Sequence, residues 1–171
     1  LYIDVGAKDE ADAYAMVQVG DTAVFDTAPF VTGRKLFSPY LDDRIACAIL
    51  LSSLERIKKS DNDLYFVFTV QEEVGLRGAR TAAYGIDPDY GIAVDVTDSD
   101  DIPDAPHECS SAAGKGAAIK VMDSSVICHS AVVKKLEELA QARDIPCQRD
   151  ILCGEPSGEL PLYQSGRGFG D

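Results

Sequence analysis

The feature that most constrains this chain is the segment from Tyr65 to Ala79, YFVFTVQEEVGLRGA, in which an apolar run stops at two adjacent carboxylates. A run this rich in aromatic and β-branched residues predicts a buried strand of a parallel sheet over residues 64–71. Glu72 and Glu73 then follow the carboxyl end of that strand, at the edge where open α/β sheets bind ligands. Two neighbouring carboxylates beside an apolar core are costly unless a cation or a proton compensates them. The segment therefore indicates a metal site.

Two further segments deliver acids to the ends of predicted elements. Residues 91–97, GIAVDVT, form a second short apolar run, which predicts a strand over residues 91–96 with Asp95 near its end. Asp42 and Asp43 open an amphipathic segment whose apolar spacing predicts a helix over residues 43–59. Taken singly, each acid has an ordinary alternative, because aspartates commonly start helices and strand-end glutamates commonly face solvent.

Strands alternate with helices along most of the chain, which predicts an α/β fold with a mostly parallel or mixed sheet flanked by helices. The opening residues differ, since they contain a short strand over residues 1–5, the helical segment EADAYAMV and the linker TAPFVTGRK. The remaining predicted elements are helices over about 77–84 and 131–143 and strands over 117–122 and 147–152.

The motifs PYLDDR, VQEEVGLRGA and AVDVT, in this order, resemble the metal-binding core of the M42 family of metallo-aminopeptidases, which includes glutamyl and tetrahedral aminopeptidases. The resemblance runs from Leu1 to about Cys153, and QEEVGLRGA is its most specific part. It implies a zinc-peptidase-like catalytic domain over residues 35–171, preceded by the end of a β-rich dimerisation domain over residues 1–34. It also implies that the chain is an internal part of a longer protein.

The resemblance implies a role for each acid. Asp42 would bridge two divalent metal ions, zinc or cobalt, while Glu73 and Asp95 would each be a terminal ligand of one ion, and Glu72 would be the general base. Two metals about 3.5 to 4 Å apart share a water, lower its pKa and polarise the scissile carbonyl. A carboxylate that is not a ligand then moves the proton to the leaving amine. The implied function is the removal of N-terminal residues from peptide substrates.

The chain departs from the family pattern at its histidines. Family members have one histidine ligand for each metal, whereas His107 and His129 here lie elsewhere in the pattern, which favours loop and helix-cap roles for them. The three implied ligands would then give each metal two protein ligands, where zinc sites use about three or four. The alternative function is therefore a non-catalytic piece of this fold that acts only in oligomerisation or peptide binding.

Charge and cysteine content limit the partners and the compartment. The formal net charge of −13 argues against a nucleic acid or an anionic membrane surface as a partner. The chain's 5 cysteines include no CxxC pair, which favours reduced thiols in a cytoplasmic protein over a disulfide framework. No apolar stretch approaches the length of a membrane span. The family resemblance adds the expectation that the intact protein is a homo-oligomer.

Overall fold

A computed structural model describes residues 2–99, 101, 103, 110–123 and 125–152. His107 and the segment that follows Leu152 lie outside these described residues. The chain divides into two units, Leu1–Leu41 and Asp42–Asp171.

The first unit contains one short helix and one β-hairpin. Helix α1, Glu10–Met16, confirms the predicted helical segment and starts at Asp9, whose side chain accepts a hydrogen bond from the Asp12 N–H at 2.9 Å. The hairpin joins β1, Phe30–Thr32, to β2, Lys35–Phe37, in antiparallel register.

The interpretation of TAPFVTGRK as a linker is therefore wrong, because this segment contains β1 and the start of β2. The predicted strand over residues 1–5 is also wrong, because residues 2–5 form no strand. Gly33, at φ +58°, allows the two-residue turn between β1 and β2. The rings of Phe30 and Phe37 stack across the hairpin with centroids 4.9 Å apart, a cross-strand contact that stabilises the pair.

The described residues of the second unit form three helices: α2, Leu41–Arg56, which begins one residue before the unit boundary, α3, Arg77–Ile86, and α4, Ser130–Ala142. All three confirm the predicted helices to within a few residues. The His129 side chain accepts a hydrogen bond from the Ala131 N–H at 3.3 Å, which confirms its role as a helix cap. In the part of the chain that the structure describes, no helix has the length and apolarity needed to cross a membrane.

The α/β class is confirmed by a strand–helix–strand unit formed by β3, Ala117–Met122, helix α4 and β4, Cys147–Ile151. The two strands are parallel, with Lys120 opposite Asp150. Ile119 on β3 and Val133 on α4 are both buried, so the helix covers one face of the strand pair.

The predicted strands over residues 64–71 and 91–96 are wrong as regular strands. The ladders among the described residues join β1 to β2 and β3 to β4, so neither segment has a hydrogen-bonded strand neighbour there. Phe68 and Val70 are 46% and 69% exposed, so the run is not buried either. Strand preference measures how well a side chain fits a pleated, half-buried surface, and without neighbouring strands no such surface exists.

Candidate metal centre

Three carboxylates converge in the second unit. One oxygen from each of Asp42, Asp43 and Asp95 lies within 4.8 Å of the others. The two adjacent aspartates come from the first turn of α2, where non-helical dihedral angles at both positions delay the regular helix, and the peptide bond between them is cis. Asp95 comes from the segment that follows α3. The two segments thus place three like charges together, an arrangement that a cation would stabilise.

Asp43 belongs to this group of three carboxylates, although its sequence position predicts only a helix-start role. Its Oδ1 atom is buried and has no hydrogen-bond partner among the described residues. Burial raises the pKa of Asp43 above its ordinary value; the Asp95 carboxylate adds to this, a hydrogen bond from the Ala46 N–H opposes it, and Asp42 contributes a further rise. A buried carboxylate oxygen without a donor needs a proton or a cation.

The three-acid group fits a divalent cation, because carboxylate oxygens are ordinary ligands of zinc and of harder divalent ions. The strongest support for a bound cation is the buried Asp43 Oδ1, because the described residues provide no hydrogen-bond donor for it. The adjacency of Asp42 and Asp43 was visible in the sequence. That both carboxylates would turn towards Asp95 was not, because it depends on the dihedral angles at the start of α2.

Glu72 and Glu73 are not members of this group. They lie in a compact loop between the apolar run and α3, and both side chains are exposed. The Glu72 carbonyl accepts hydrogen bonds from the N–H groups of Gly75 at 3.0 Å and Leu76 at 2.9 Å. The loop needs left-handed backbone at Gly75, where φ is +103°, so the glycine suits the turn.

The loop closes through a backbone contact that requires glycine at position 78. The Gly78 N–H donates to the Val70 carbonyl at 3.0 Å. A Cβ at position 78 would overlap that carbonyl oxygen and lie 2.7 Å from the Val70 nitrogen. Because both obstacles are main-chain atoms, no side-chain rotation relieves the overlap.

We expect Gly78→Ala to lower the free energy of unfolding by about 1 to 3 kcal/mol, the usual cost of overpacking. The matched control is Gly85→Ala in the same helix, where a Cβ would meet nothing within 4 Å. That change should raise stability by about 0.5 to 1 kcal/mol, because alanine replaces glycine inside a helix. Urea unfolding of the two variants measures the difference. Equal stabilities would show that the loop around Glu72 and Glu73 does not depend on this contact.

A family profile and individual relatives both relate this chain to the same family of aminopeptidases. A sequence profile of the M42 glutamyl aminopeptidase family matches residues 1–158. A putative aminopeptidase of Acetivibrio thermocellus is 48% identical over 97% of this chain and 51% of its own length. The lysyl aminopeptidase of Pyrococcus furiosus is 35% identical over 86% of this chain and 42% of its own length.

Solved structures agree with these relatives. Aminopeptidase APDkam598 from the archaeon Desulfurococcus kamchatkensis superimposes with a TM-score of 0.80 at 40% identity, over 89% of this chain and 44% of that one. PhTET1-12s, described as a dodecamer in the asymmetric unit, superimposes with a TM-score of 0.65 at 31% identity, over 89% of this chain and 46% of that one. The chain thus spans about half the length of the relatives that it matches. It belongs to the M42 glutamyl aminopeptidase family.

Proposed function

We propose that this chain contributes the carboxylate ligands and the general base of a metal-dependent aminopeptidase that removes N-terminal residues from peptides. The observation that carries the proposal is the convergence of Asp42, Asp43 and Asp95 to within 4.8 Å. Membership of the M42 family, which is metal-dependent, supports the same chemistry.

The metal-holding residues of the proposal are Asp42, Asp95 and Glu73, for two divalent ions, zinc or cobalt. Asp42 would contribute a ligand to both ions, and Asp95 and Glu73 would each contribute a ligand to one. Asp43 joins this set as a fourth carboxylate, because its buried Oδ1 faces no protein donor among the described residues. When bound, such ions act as Lewis acids towards the scissile carbonyl and lower the pKa of the attacking water.

Proton transfer in the proposal belongs to Glu72. Its carboxylate accepts the proton of the attacking water and passes it to the leaving amine of the peptide. The hydrogen bonds from Gly75 and Leu76 to the Glu72 carbonyl hold its backbone in the loop, next to Glu73. Neighbouring glutamates can divide the base and ligand roles because the chain turns directly after them, at residues 73–75.

The domain arrangement, the assembly and the cellular compartment are proposed from the family relationship and from the free cysteines. We propose that the chain contains the end of a dimerisation domain followed by part of the catalytic domain. The expected boundary after residue 34 would separate the paired strands β1 and β2, so we place it after Leu41, where the first unit ends. A homo-oligomer is supported by PhTET1-12s, which is described as a dodecamer. Cys47, Cys128 and Cys147 are free cysteines, which supports a reducing compartment such as the cytoplasm. The net charge of −13 favours peptide over nucleic acid as the partner.

The test is hydrolysis of a panel of aminoacyl-anilides by the purified protein after equilibration with zinc or cobalt. We expect cleavage that disappears when the metal is removed with a chelator and returns when the metal is restored. Two metal ions bound per chain, without turnover of any substrate, would contradict the catalytic proposal and favour the non-catalytic alternative.

A further inference from the structure

An ion pair between a buried aspartate and a partly exposed lysine joins the two strands of the β3–β4 pair. Asp150 on β4 is 1% exposed, and its Oδ2 atom lies 2.5 Å from the Nζ of Lys120 on β3. The two residues are opposite each other in the parallel register. Burying such a pair costs desolvation energy, which its mutual attraction often fails to recover, so a buried pair is weak evidence for a purely stabilising role.

Thr97 is the third member of this cluster. Its Oγ1 donates to Asp150 Oδ2 at 2.9 Å, and Lys120 Nζ donates to the same Oγ1 at 3.2 Å. A second attachment lies one residue further on, where the buried Ser111 hydroxyl donates to the Asp98 carbonyl at 2.8 Å. The strand pair therefore holds Thr97 through its side chain, while Ser111, in the segment before β3, holds Asp98 through the main chain. That segment is in turn bonded to β4, since the Ala112 N–H donates to the Gln148 side chain at 3.0 Å.

Thr97 follows Asp95 by only two residues, so its Cα lies at most about 7 Å from that of Asp95. The segment over residues 91–96 forms no strand ladder in the described part of the chain, so regular pairing does not fix Asp95. Among the described residues after Asp95, Thr97 is thus the first that is bonded to the β3–β4 pair.

We propose that Asp150, Lys120 and Thr97 form a positioning cluster that holds Asp95 in place at the metal centre. The proposal rests on the proposed function, in which Asp95 is a metal ligand. None of the three residues belongs to the group of metal-binding carboxylates, and they act through the backbone that leads to it. Removing a group that hydrogen-bonds a metal ligand directly typically lowers metal affinity by about 10- to 100-fold. This cluster acts through two residues of backbone, so we expect an effect near the lower end of that range.

The test uses Asp150→Asn and Thr97→Val, with Co²⁺ affinity and amide hydrogen exchange over residues 95–98 as readouts. We expect both variants to bind Co²⁺ about 10-fold or more weakly and to exchange these amides faster. Thr97→Ser keeps the hydroxyl, so it should retain the Co²⁺ affinity and the slow amide exchange of the unaltered protein. The matched control is Glu137→Gln, which breaks the neighbouring Arg149–Glu137 pair at 2.6 Å without touching Thr97, and should change neither property.

Unchanged Co²⁺ affinity and unchanged exchange in folded Thr97→Val would overturn the proposal, even if Asp150→Asn fails to fold. If the unaltered chain binds no Co²⁺, the proposed function fails, and the exchange data still decide the positioning claim. Faster exchange over residues 95–98 in Thr97→Val would then support it, and unchanged exchange would contradict it.

Discussion

We expect replacement of Glu72 with glutamine to lower kcat for aminoacyl-anilide hydrolysis by about 100- to 10,000-fold, the usual contribution of a general base. Glutamine has nearly the same shape but cannot accept the proton of the attacking water. Bound metal should be unchanged, because Glu72 is not a ligand in the proposal. The measurement is kcat together with metal content for the variant and the unaltered protein.

Glu55→Gln is the control for this substitution, since it removes one exposed glutamate charge on α2 outside the site. It should leave both kcat and metal content unchanged. Undiminished kcat in Glu72→Gln would show that Glu72 is not the base. A loss of metal in that variant would instead make Glu72 a ligand and contradict the division of roles between Glu72 and Glu73.

We expect replacement of Asp42 with asparagine to weaken binding of both metal ions by at least about 100-fold, because the proposal makes Asp42 a ligand of both. This loss exceeds the effect of removing an outer-shell partner. The variant also removes one of the three carboxylates whose oxygens lie within 4.8 Å of one another, so only Asp43 and Asp95 keep their charge there. Hydrolysis should fall with the metal content. Metal analysis after dialysis, with a titration of the metal-free protein, measures the effect.

Asp63→Asn is the matched control, because Asp63 is an exposed aspartate of the same unit outside the three-acid group. It changes the net charge by the same amount and should leave metal affinity unchanged. If Asp42→Asn retained both metals as tightly as Asp63→Asn, the cluster at the start of α2 would not be the metal centre.

The helices and strand β3 were predictable because their signals are local. Apolar spacing gave α2 and α4, and the apolar run AAIKVM gave β3. The segment CQRDI of β4 is mostly polar, and its strand was expected from the family resemblance. The runs over residues 64–71 and 91–96 carry an equally strong strand signal. Whether they form strands depends on neighbours in a sheet, and the described residues contain none for them.

The hairpin of the first unit was missed for the opposite reason. Pro29 and Gly33 lie close together in TAPFVTGRK, and turn residues so close favour a linker. The strands they flank are only three residues each, which is too short for an alternating pattern to show. The contact between Phe30 and Phe37, which supports the pair, is visible only in the folded chain.

The candidate site was partly predictable. The order of the acid motifs pointed to Asp42 and Asp95, and the structure brings these two carboxylates together. Asp43 was missed because a helix-start role explains it from sequence alone, and only its buried, unpartnered Oδ1 distinguishes it. The roles of Glu72 and Glu73 stay predictions, since both side chains are exposed in the loop before α3.

The most direct test of the metal centre is anomalous X-ray scattering at the zinc edge from crystals of the zinc-loaded protein. The account predicts a strong peak about 2.0 to 2.2 Å from carboxylate oxygens of Asp42 and Asp95. If crystals of the zinc-saturated protein showed a strong anomalous peak at another site and none near Asp42 and Asp95, these two residues would not form the metal centre.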